Sequence, residues 1–268
     1  MGEISNFSLI GKNSLYRTDL YPEANLGNFQ YRWSPKEISA ELWLDSSDQS
    51  SLVMDGTSVE EWKDKSGNNN HAIQTNSLSQ PTIGTTNLNG LSVLDFSSSH
   101  LKVNNFSATQ PYSFFIVAKT NNTDYSIGSI EYLIDGATIL NRNIVQIDRF
   151  GKVQMYAGTW SESNLATPTA FCIISASFNT TTSTISLNGT RETHNVGTRN
   201  LASGLTIGSK HNGTQALLDG SIAEIVAIDN DTSIATTEKM EGYLAHKWGT
   251  ASSLTESHPY KYYPRYFI

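Results

Sequence analysis

SIAEIVAID at residues 221–229 and EGYLAHKWGTASSLTESHPYKYYP at residues 241–264 decide the fold of this chain. The first stretch is an apolar, strand-like run, and the second begins as an amphipathic helix and ends as an aromatic tail. Because nearly everything before them has the composition of short strands and polar turns, we predict an all-β sandwich with one C-terminal α-helix.

The helix is expected at about residues 235–249. Thr236 or Thr237 can cap its first turn, and Gly249 follows its last turn. Its apolar side chains are spaced three or four residues apart and form one stripe: Met240, Tyr243, Leu244 and Trp248. We expect this stripe to pack on the sandwich, and two prolines beyond the helix predict an extended tail.

Apolar runs predict the strands that precede the helix. In ISAELWLD, residues 38–45, Leu42 and Leu44 fall on one face of a strand and Trp43 on the other. The run PYSFFIVAKT, residues 111–120, is largely apolar, as expected for a strand at the centre of a sheet. Many short runs of this kind predict two packed antiparallel sheets.

Four dipeptides predict hairpins or tight turns: Asp135-Gly136, Asn188-Gly189, Asn212-Gly213 and Asp219-Gly220. Asn and Gly tolerate the positive φ that such turns require. We therefore expect the chain to reverse direction at each of them.

Composition argues against several classes of function. The 268 residues carry a net charge of −7 with no cluster of Lys or Arg, so a nucleic-acid partner is not expected. The start lacks the pattern of a signal peptide, and no stretch approaches the roughly 18 apolar residues of a membrane span. We therefore expect synthesis in the cytoplasm and no membrane partner. The single cysteine, Cys172, lies in an apolar run and is expected to be a small buried hydrophobe.

The chain divides by pattern into an N-terminal arm, residues 1–35, and a sandwich with helix and tail, residues 36–268. The arm has no sustained alternation, yet it is rich in aromatic residues: Tyr16, Tyr21, Phe29, Tyr31 and Trp33. Such a segment cannot easily bury its own rings, so we expect it to lie against its own sandwich or against another subunit. The arm and the similar tail, KYYPRYFI, are therefore candidate assembly contacts.

Four segments together resemble a known family. They are ELWLDSSDQSSLVMDGTSVEEWKDKSGNNNHAIQ at residues 41–74, LNGLSVLDF at 88–96, LLDGSIAEIVAIDN at 217–230 and EGYLAHKWGTASSLTESHPYK at 241–261. This combination is similar to the concanavalin A-like (laminin G-like) jelly-roll domains in structural proteins of tailed bacteriophages, especially marine and cyanobacterial ones. The resemblance covers roughly residues 38–263.

The resemblance implies a jelly-roll fold and a setting in a virion. Such domains serve as adhesive or architectural modules in tail fibres, baseplates, neck appendages and head decorations, and similar domains elsewhere bind glycans or calcium. The partners it implies are other virion proteins, with the chain present as a homo-oligomer or in several copies. Fold alone does not settle function, so the site is argued from its own residues.

Motifs for catalysis are not found in the sequence. Concanavalin A-like glycoside hydrolases carry a strand with Glu-x-Asp-x-x-Glu, and no segment here matches it. There is no Gly-x-Ser-x-Gly motif, and the six histidines show no metal-ligand spacing. We predict no catalytic residues and no enzyme activity.

Calcium is the one ion that the residues suggest. The loop DKSGNNNH, residues 64–71, offers hard oxygen donors from Asp64, Asn68 and Asn70. The alternative is a turn in which these side chains bond to their own backbone. The turn is favoured over a calcium site because only one carboxylate is present.

The best local candidate for glycan binding is MYAGTWSESN, residues 155–164. Tyr156 and Trp160 lie near Glu162 and Asn164 in a segment with the composition of a long loop. An exposed aromatic ring can hold the apolar face of a sugar, and the polar side chains can bond to its hydroxyls. The alternative is that Trp160 covers the edge of the core.

These observations predict a non-enzymatic virion structural protein of a tailed phage that displays an adhesive β-sandwich. The first alternative is a lectin-like module that recognises a host-surface glycan. The second alternative is a polysaccharide hydrolase.

Overall fold

The computed structural model describes residues 7–9, 15–17, 33–125, 129–230 and 233–263. The chain divides into two compact units, Met1–Arg32 and Trp33–Ile268. In the first unit, β1 (Phe7–Leu9) and β2 (Leu15–Arg17) pair in antiparallel fashion. The side chains of the arm residues Tyr16, Tyr21, Phe29 and Tyr31 lie outside the described residues, so their predicted role in assembly stays a prediction.

The described part of the second unit contains sixteen strands and one α-helix. The strands are β3 (Ala40–Asp45), β4 (Leu52–Asp55), β5 (Ser58–Trp62), β6 (Ala72–Ile73), β7 (Thr82–Leu88), β8 (Leu91–Phe96), β9 (Leu101–Val103), β10 (Tyr112–Thr120), β11 (Glu131–Gly136), β12 (Ile144–Ile147), β13 (Val153–Tyr156), β14 (Cys172–Phe178), β15 (Ser183–Leu187), β16 (Thr190–His194), β17 (Leu205–Ile207) and β18 (Gly220–Asp229). The helix is α1 (Ile234–Lys247).

The strands form two antiparallel layers. Sheet I has the order β3-β18-β10-β14-β15-β16, and sheet II has the order β13-β12-β11-β17-β9-β6-β5, with β4 paired to β5. The hairpin β7-β8 joins β5 of sheet II to β18 of sheet I. The predicted all-β sandwich with a C-terminal helix is therefore confirmed.

Strand β10 lies at the centre of sheet I, between β14 and β18, as the apolar run predicted. Its side chains alternate between two cores. Phe114 and Ile116 point into the core between the sheets, where Leu133 of sheet II also packs. Phe115 and Val117 point to the opposite face, where α1 packs.

The helix covers the outer face of sheet I. The predicted stripe of Met240, Tyr243, Leu244 and Trp248 is buried there, which confirms that it packs on the sandwich. The cap is Ser233 rather than Thr236 or Thr237, because Ser233 has extended backbone and its hydroxyl accepts the Thr236 N–H at 3.2 Å.

The tail that follows α1 is a series of turns, so the predicted extended segment is wrong for the described residues. The Lys261 N–H bonds to the His258 carbonyl at 3.1 Å, which closes a turn with Pro259 in its second position. Proline favours that position because its ring fixes φ, so here it shapes a turn instead of extending the chain.

The four predicted turns have two outcomes. Asn188 and Gly189 form the two-residue turn between β15 and β16, with φ of 51° and 84°, and Gly213 also has positive φ, 76°. The Asp-Gly pairs are different, since Gly136 ends β11 and Gly220 begins β18.

At Gly136 and Gly220 the absence of a side chain serves a close approach of two backbones rather than a hairpin turn. A Cβ at Gly136 would overlap the carbonyl oxygen of Asn141, and one at Gly220 would overlap that of Lys119.

Three of the four segments that carry the family resemblance meet at one buried carboxylate. Glu224 on β18 is fully buried and accepts four hydrogen bonds. The donors are Trp43 Nε1 at 2.7 Å, Tyr243 OH at 3.0 Å, Lys247 Nζ at 2.7 Å and Trp248 Nε1 at 2.6 Å. Burial raises the pKa of the Glu224 carboxyl, although these donors favour its charged form. This cluster ties the helix to sheet I.

Three further ion pairs extend this cluster to the loop after β5. Lys247 Nζ lies 2.7 Å from Asp45, and Lys65 Nζ lies 2.7 Å from Asp45 and 2.9 Å from Asp48. Burial opposes the charge of Asp45, but the two ammonium groups outweigh it and lower the pKa of this carboxyl. The residues named here lie in the segments that resemble the phage domains. Their contacts hold β3, β18, α1 and the loop after β5 together.

Candidate functional site

The candidate site is a hairpin at the edge of sheet II. After β13 the chain turns through residues 157–159 and returns along the strand. The Ser161 N–H bonds to the Met155 carbonyl, and the Val153 N–H bonds to the Leu165 carbonyl, both at 2.9 Å. Residues 157–171 contain no regular strand, as predicted for a long loop, and these bonds fold the first part of the loop back along β13. Gly158, with φ of 118°, permits the short reversal.

Tyr156 and Trp160 form a cross-strand aromatic pair on this hairpin. Their ring centroids lie 4.8 Å apart, with an angle of 44° between the ring planes. Trp160 is 41% exposed, whereas the other four tryptophans are buried. The exposed indole is thus supported by a neighbouring ring and has one part open to solvent.

The returning segment exposes alternate side chains. Trp160, Glu162 and Asn164 are exposed, whereas Ser161, Ser163 and Leu165 are buried. Side chains that alternate in this way lie on opposite sides of an extended segment. The three exposed residues therefore form a stripe. We call this stripe and Tyr156 together the platform.

The buried serines fix this segment to β13. Ser161 Oγ accepts the Met155 N–H at 2.9 Å and donates to Gln154 Oε1 at 3.1 Å. Gln154 Nε2 donates to the Ser163 carbonyl at 3.0 Å. The platform is consequently held by both backbone and side-chain bonds.

Asn164 is the most constrained polar residue of the platform. Its Oδ1 accepts from Lys152 Nζ at 2.7 Å, and its N–H donates to Glu192 Oε2 at 3.0 Å. Burial opposes the charge of Glu192, but bonds from Asn164 and His194 outweigh it and lower the pKa of this carboxyl. Glu162 is exposed and lies between Trp160 and Asn164 along the chain.

Arg199 flanks the platform and was not identified from the sequence. Its guanidinium carbon lies 5.5 Å from the centroid of the Tyr156 ring. The loop that contains it is distant along the chain and meets the hairpin through backbone bonds, such as that from the Thr159 N–H to the Val196 carbonyl at 2.8 Å. No local motif could have indicated this contact.

The predicted calcium loop has its own hydrogen bonds. Both oxygens of Asp64 accept two bonds each, from the N–H groups of Trp43, Ser66 and Asn70 and the hydroxyl of Ser66, at 2.7 to 3.0 Å. The side-chain amides of Asn68 and Asn70 donate to the Glu41 carbonyl at 3.3 and 2.8 Å.

These bonds match the turn that was the alternative to a calcium site. Within the described ranges, no group of three or more His, Cys, Asp or Glu side chains is arranged to hold a metal ion. Calcium binding at Asp64, Asn68 and Asn70 stays a prediction.

Trp33, the last of the predicted assembly residues, is buried against its own sandwich unit. It is 2% exposed and packs edge-on against Tyr243, with centroids 5.7 Å apart. Lys239 Nζ lies 4.9 Å from its ring centroid. Trp33 therefore lies against its own sandwich, which is the first of the two surfaces expected for the arm.

Cys172 is buried, as its apolar surroundings indicated. Burial raises the pKa of its thiol to about 12, so the reactive thiolate is strongly disfavoured. Among the described residues, no helix has the length and apolar character needed to cross a membrane.

Known proteins resemble this chain in structure, but the sequence comparisons found no match. No family model matches this chain, and no curated protein matches it. Domain 4 of AbnA, an extracellular arabinanase from Geobacillus stearothermophilus solved with arabinotriose, superposes with a TM-score of 0.55 at 8% identity. That match covers 76% of this chain and 98% of the arabinanase domain.

Two larger proteins contain a similar fold in part. Trypanosoma rangeli sialidase gives a TM-score of 0.51 at 10% identity, covering 78% of this chain and 33% of the sialidase. A mutant of HCR D/C VPI 5995 gives 0.52 at 12% identity, covering 79% of this chain and 53% of that protein. At such identities the likeness concerns the fold alone, so it supports the β-sandwich and assigns no ligand.

Proposed function

We propose that this chain is a glycan-binding module that works by recognition and not by turnover, with its site on the Tyr156–Trp160 platform. The observation that carries the proposal is the exposed Trp160 indole, which is fixed at the edge of sheet II by the ring of Tyr156. A rigid, partly exposed aromatic ring loses little conformational entropy when a ligand packs on it.

The chemistry of the platform suits a sugar. The apolar C–H face of a pyranose or furanose packs on the indole, and the rim of hydroxyls needs acceptors and donors within reach. Glu162 supplies acceptors, and Asn164 offers an amide beside the Lys152 ammonium group. Such a combination of one aromatic surface with a few polar groups is typical of sites that recognise small polar ligands.

The fold comparison supports the same proposal. The arabinanase domain, whose full length is almost covered by the match, was solved with arabinotriose bound. Arabino-oligosaccharides are therefore sensible first members of any set of test glycans.

The absence of turnover is part of the proposal. Glycoside hydrolysis needs two carboxyl groups placed on either side of the scissile bond. The fully buried carboxylates Asp135, Glu224 and Glu241 bond to neighbouring groups within the fold, including Arg142, Lys247 and Ser175 respectively. Release of reducing sugar from a bound polysaccharide would contradict this part.

Placement in a phage particle, which the family resemblance implies, is kept as a separate prediction. No observation on the described residues favours a virion partner over a glycan. A glycan-binding module on a tail fibre would be compatible with both the phage setting and glycan recognition.

The test is a binding measurement on Trp160→Ala. We expect its affinity for the best ligand of a glycan array to fall at least about tenfold, ~1.4 kcal/mol, because the central aromatic anchor is lost. Titration calorimetry with the purified chain gives the value.

The matched control is Phe150→Ala. Phe150 is another exposed aromatic, 64% exposed, in the turn before β13, and a cation, Arg149, also lies over its ring at 4.9 Å. This variant should bind as the wild type does. Equal loss in both variants, unchanged binding in Trp160→Ala, or no glycan bound at all would overturn the proposal.

A further inference from the structure

We infer that the glycan recognised at the platform is acidic, and that Arg199 binds its carboxylate or sulfate group. The inference rests on the proposed function and names the class of ligand for the same site. Its starting point is the guanidinium of Arg199, which lies over the ring of Tyr156 on the platform.

The backbone of Arg199 is fixed although the residue lies on the surface. Its N–H donates to the Ala157 carbonyl at 2.8 Å, in the turn of the platform hairpin. Its carbonyl accepts from Gln110 Nε2 at 2.7 Å and from Asn143 Nδ2 at 2.9 Å. Three such bonds fix the backbone from which the exposed side chain extends toward Tyr156, so less backbone entropy is lost when a ligand binds there.

The charge of Arg199 is not neutralised by the described residues. None of their carboxylates lies within ion-pair distance of it, although the whole chain has 25 acidic and 18 basic residues. Arg142, in the loop between β11 and β12, provides the contrast, because its Nη2 lies 2.9 Å from the buried Asp135. An unpaired guanidinium on a fixed backbone, in an acidic protein, is available to an anion from outside.

A second cation lies at the other end of the platform. Lys152 Nζ contacts the neutral oxygen of Asn164 at 2.7 Å and has no carboxylate partner among the described residues. The two cations therefore flank the stripe from Trp160 to Asn164, with Glu162 between them as an acceptor for hydroxyls. The arrangement suits a sugar whose acidic group lies at the rim of the stacked ring.

Arginine is suited to this task by its geometry. Its planar fork makes two parallel hydrogen bonds to a carboxylate or sulfate, and these charge-assisted bonds are shorter and stronger than neutral ones. The ring of Tyr156 holds one face of the guanidinium and leaves its edge free to donate.

The experiment compares matched acidic and neutral probes. Trigalacturonic acid is paired with its methyl ester, and sialyllactose with lactose, within an array that also holds arabino-oligosaccharides. Wild type, Arg199→Ala, Arg199→Lys and Arg149→Ala are titrated with the bound probes at low and high sodium chloride. Arg149 is the control because it is an exposed arginine that lies over the ring of Phe150 rather than over a ring of the platform.

We expect an acidic probe to bind at least about tenfold more tightly than its neutral partner, and to lose this advantage in Arg199→Ala. Arg199→Lys should recover part of it, since the charge remains while the fork is lost. Arg149→Ala should resemble the wild type, and added salt should weaken acidic probes selectively.

The two proposals fail in different ways. Neutral glycans that bind as well as acidic ones, with affinity lost in Trp160→Ala and unchanged in Arg199→Ala, would remove the acidic class and leave the platform in place. Binding that is unchanged in Trp160→Ala, or no binding to any probe, would contradict both the platform and the acidic class of its ligand.

Discussion

Glu224 shows how far a single residue can depart from its sequence pattern. In SIAEIVAID a glutamate within an apolar strand has no local partner, and its charge favours a solvated position. The structure buries it because four donors converge on it, from β3, from α1 and from Trp248 directly after α1. Those donors are distant along the chain, so no local pattern could have indicated the cluster.

Removing this carboxylate should be costly. We expect Glu224→Ala to lower the free energy of unfolding by about 3–5 kcal/mol, because it leaves two buried indole N–H groups without an acceptor and removes one of the two carboxylates that pair with Lys247. Urea denaturation followed by fluorescence measures this change.

The control for this substitution is Glu162→Ala. Glu162 is exposed on the platform, so its loss should change stability by no more than about 0.5 kcal/mol. A similar small effect of Glu224→Ala would contradict the role given to the buried cluster.

Residues of the candidate site were predicted only in part. Tyr156, Trp160, Glu162 and Asn164 could be chosen from the sequence because an aromatic pair stands close to polar side chains within ten residues. Arg199 could not, because its contact with Tyr156 depends on a loop from another part of the fold.

Among elements, the helix was predicted well because its signal is local. An apolar stripe at helical spacing and a glycine after the last turn are visible in one short window. The loop after β13 was predicted, but its return along this strand was not, because its inward side chains include two serines. Their burial depends on bonds to β13 rather than on apolar character.

The helix gives a prediction at this scale. Met240 is fully buried under α1, whereas Ile234, in the first turn, is 59% exposed. We expect Met240→Ala to lower the free energy of unfolding by about 2–5 kcal/mol through the lost contacts and the cavity left behind.

Ile234→Ala is the matched control, an apolar residue on the same helix, and should cost no more than about 0.5 kcal/mol. Thermal denaturation of the two variants compares them directly. If both substitutions had equal effects, the packing of α1 on sheet I would need revision.

On the scale of the whole molecule, the helix and the candidate site lie on different faces of the sandwich. The outer face of sheet I is covered by α1. Tyr156 neighbours the core residue Met155 on β13 and so lies on the opposite, outer side of sheet II. The platform and the helix therefore belong to opposite faces, and a glycan can bind without disturbing the helix.

The sandwich could be predicted from the sequence. Alternation of apolar and polar residues, and runs of apolar residues, indicate directly that strands are packed in two sheets. The pairing order did not, since β7 and β8 pass from one sheet to the other and β11 contains a register shift. Such features depend on contacts between segments far apart in the chain.

The most direct test of the account follows the five tryptophan indole N–H signals by two-dimensional NMR during a glycan titration. Four of these indoles are buried and one, that of Trp160, is exposed. We predict that one signal moves with the ligand and that the same signal is missing in Trp160→Ala. A bound glycan that leaves the Trp160 signal unmoved would contradict the platform as its site.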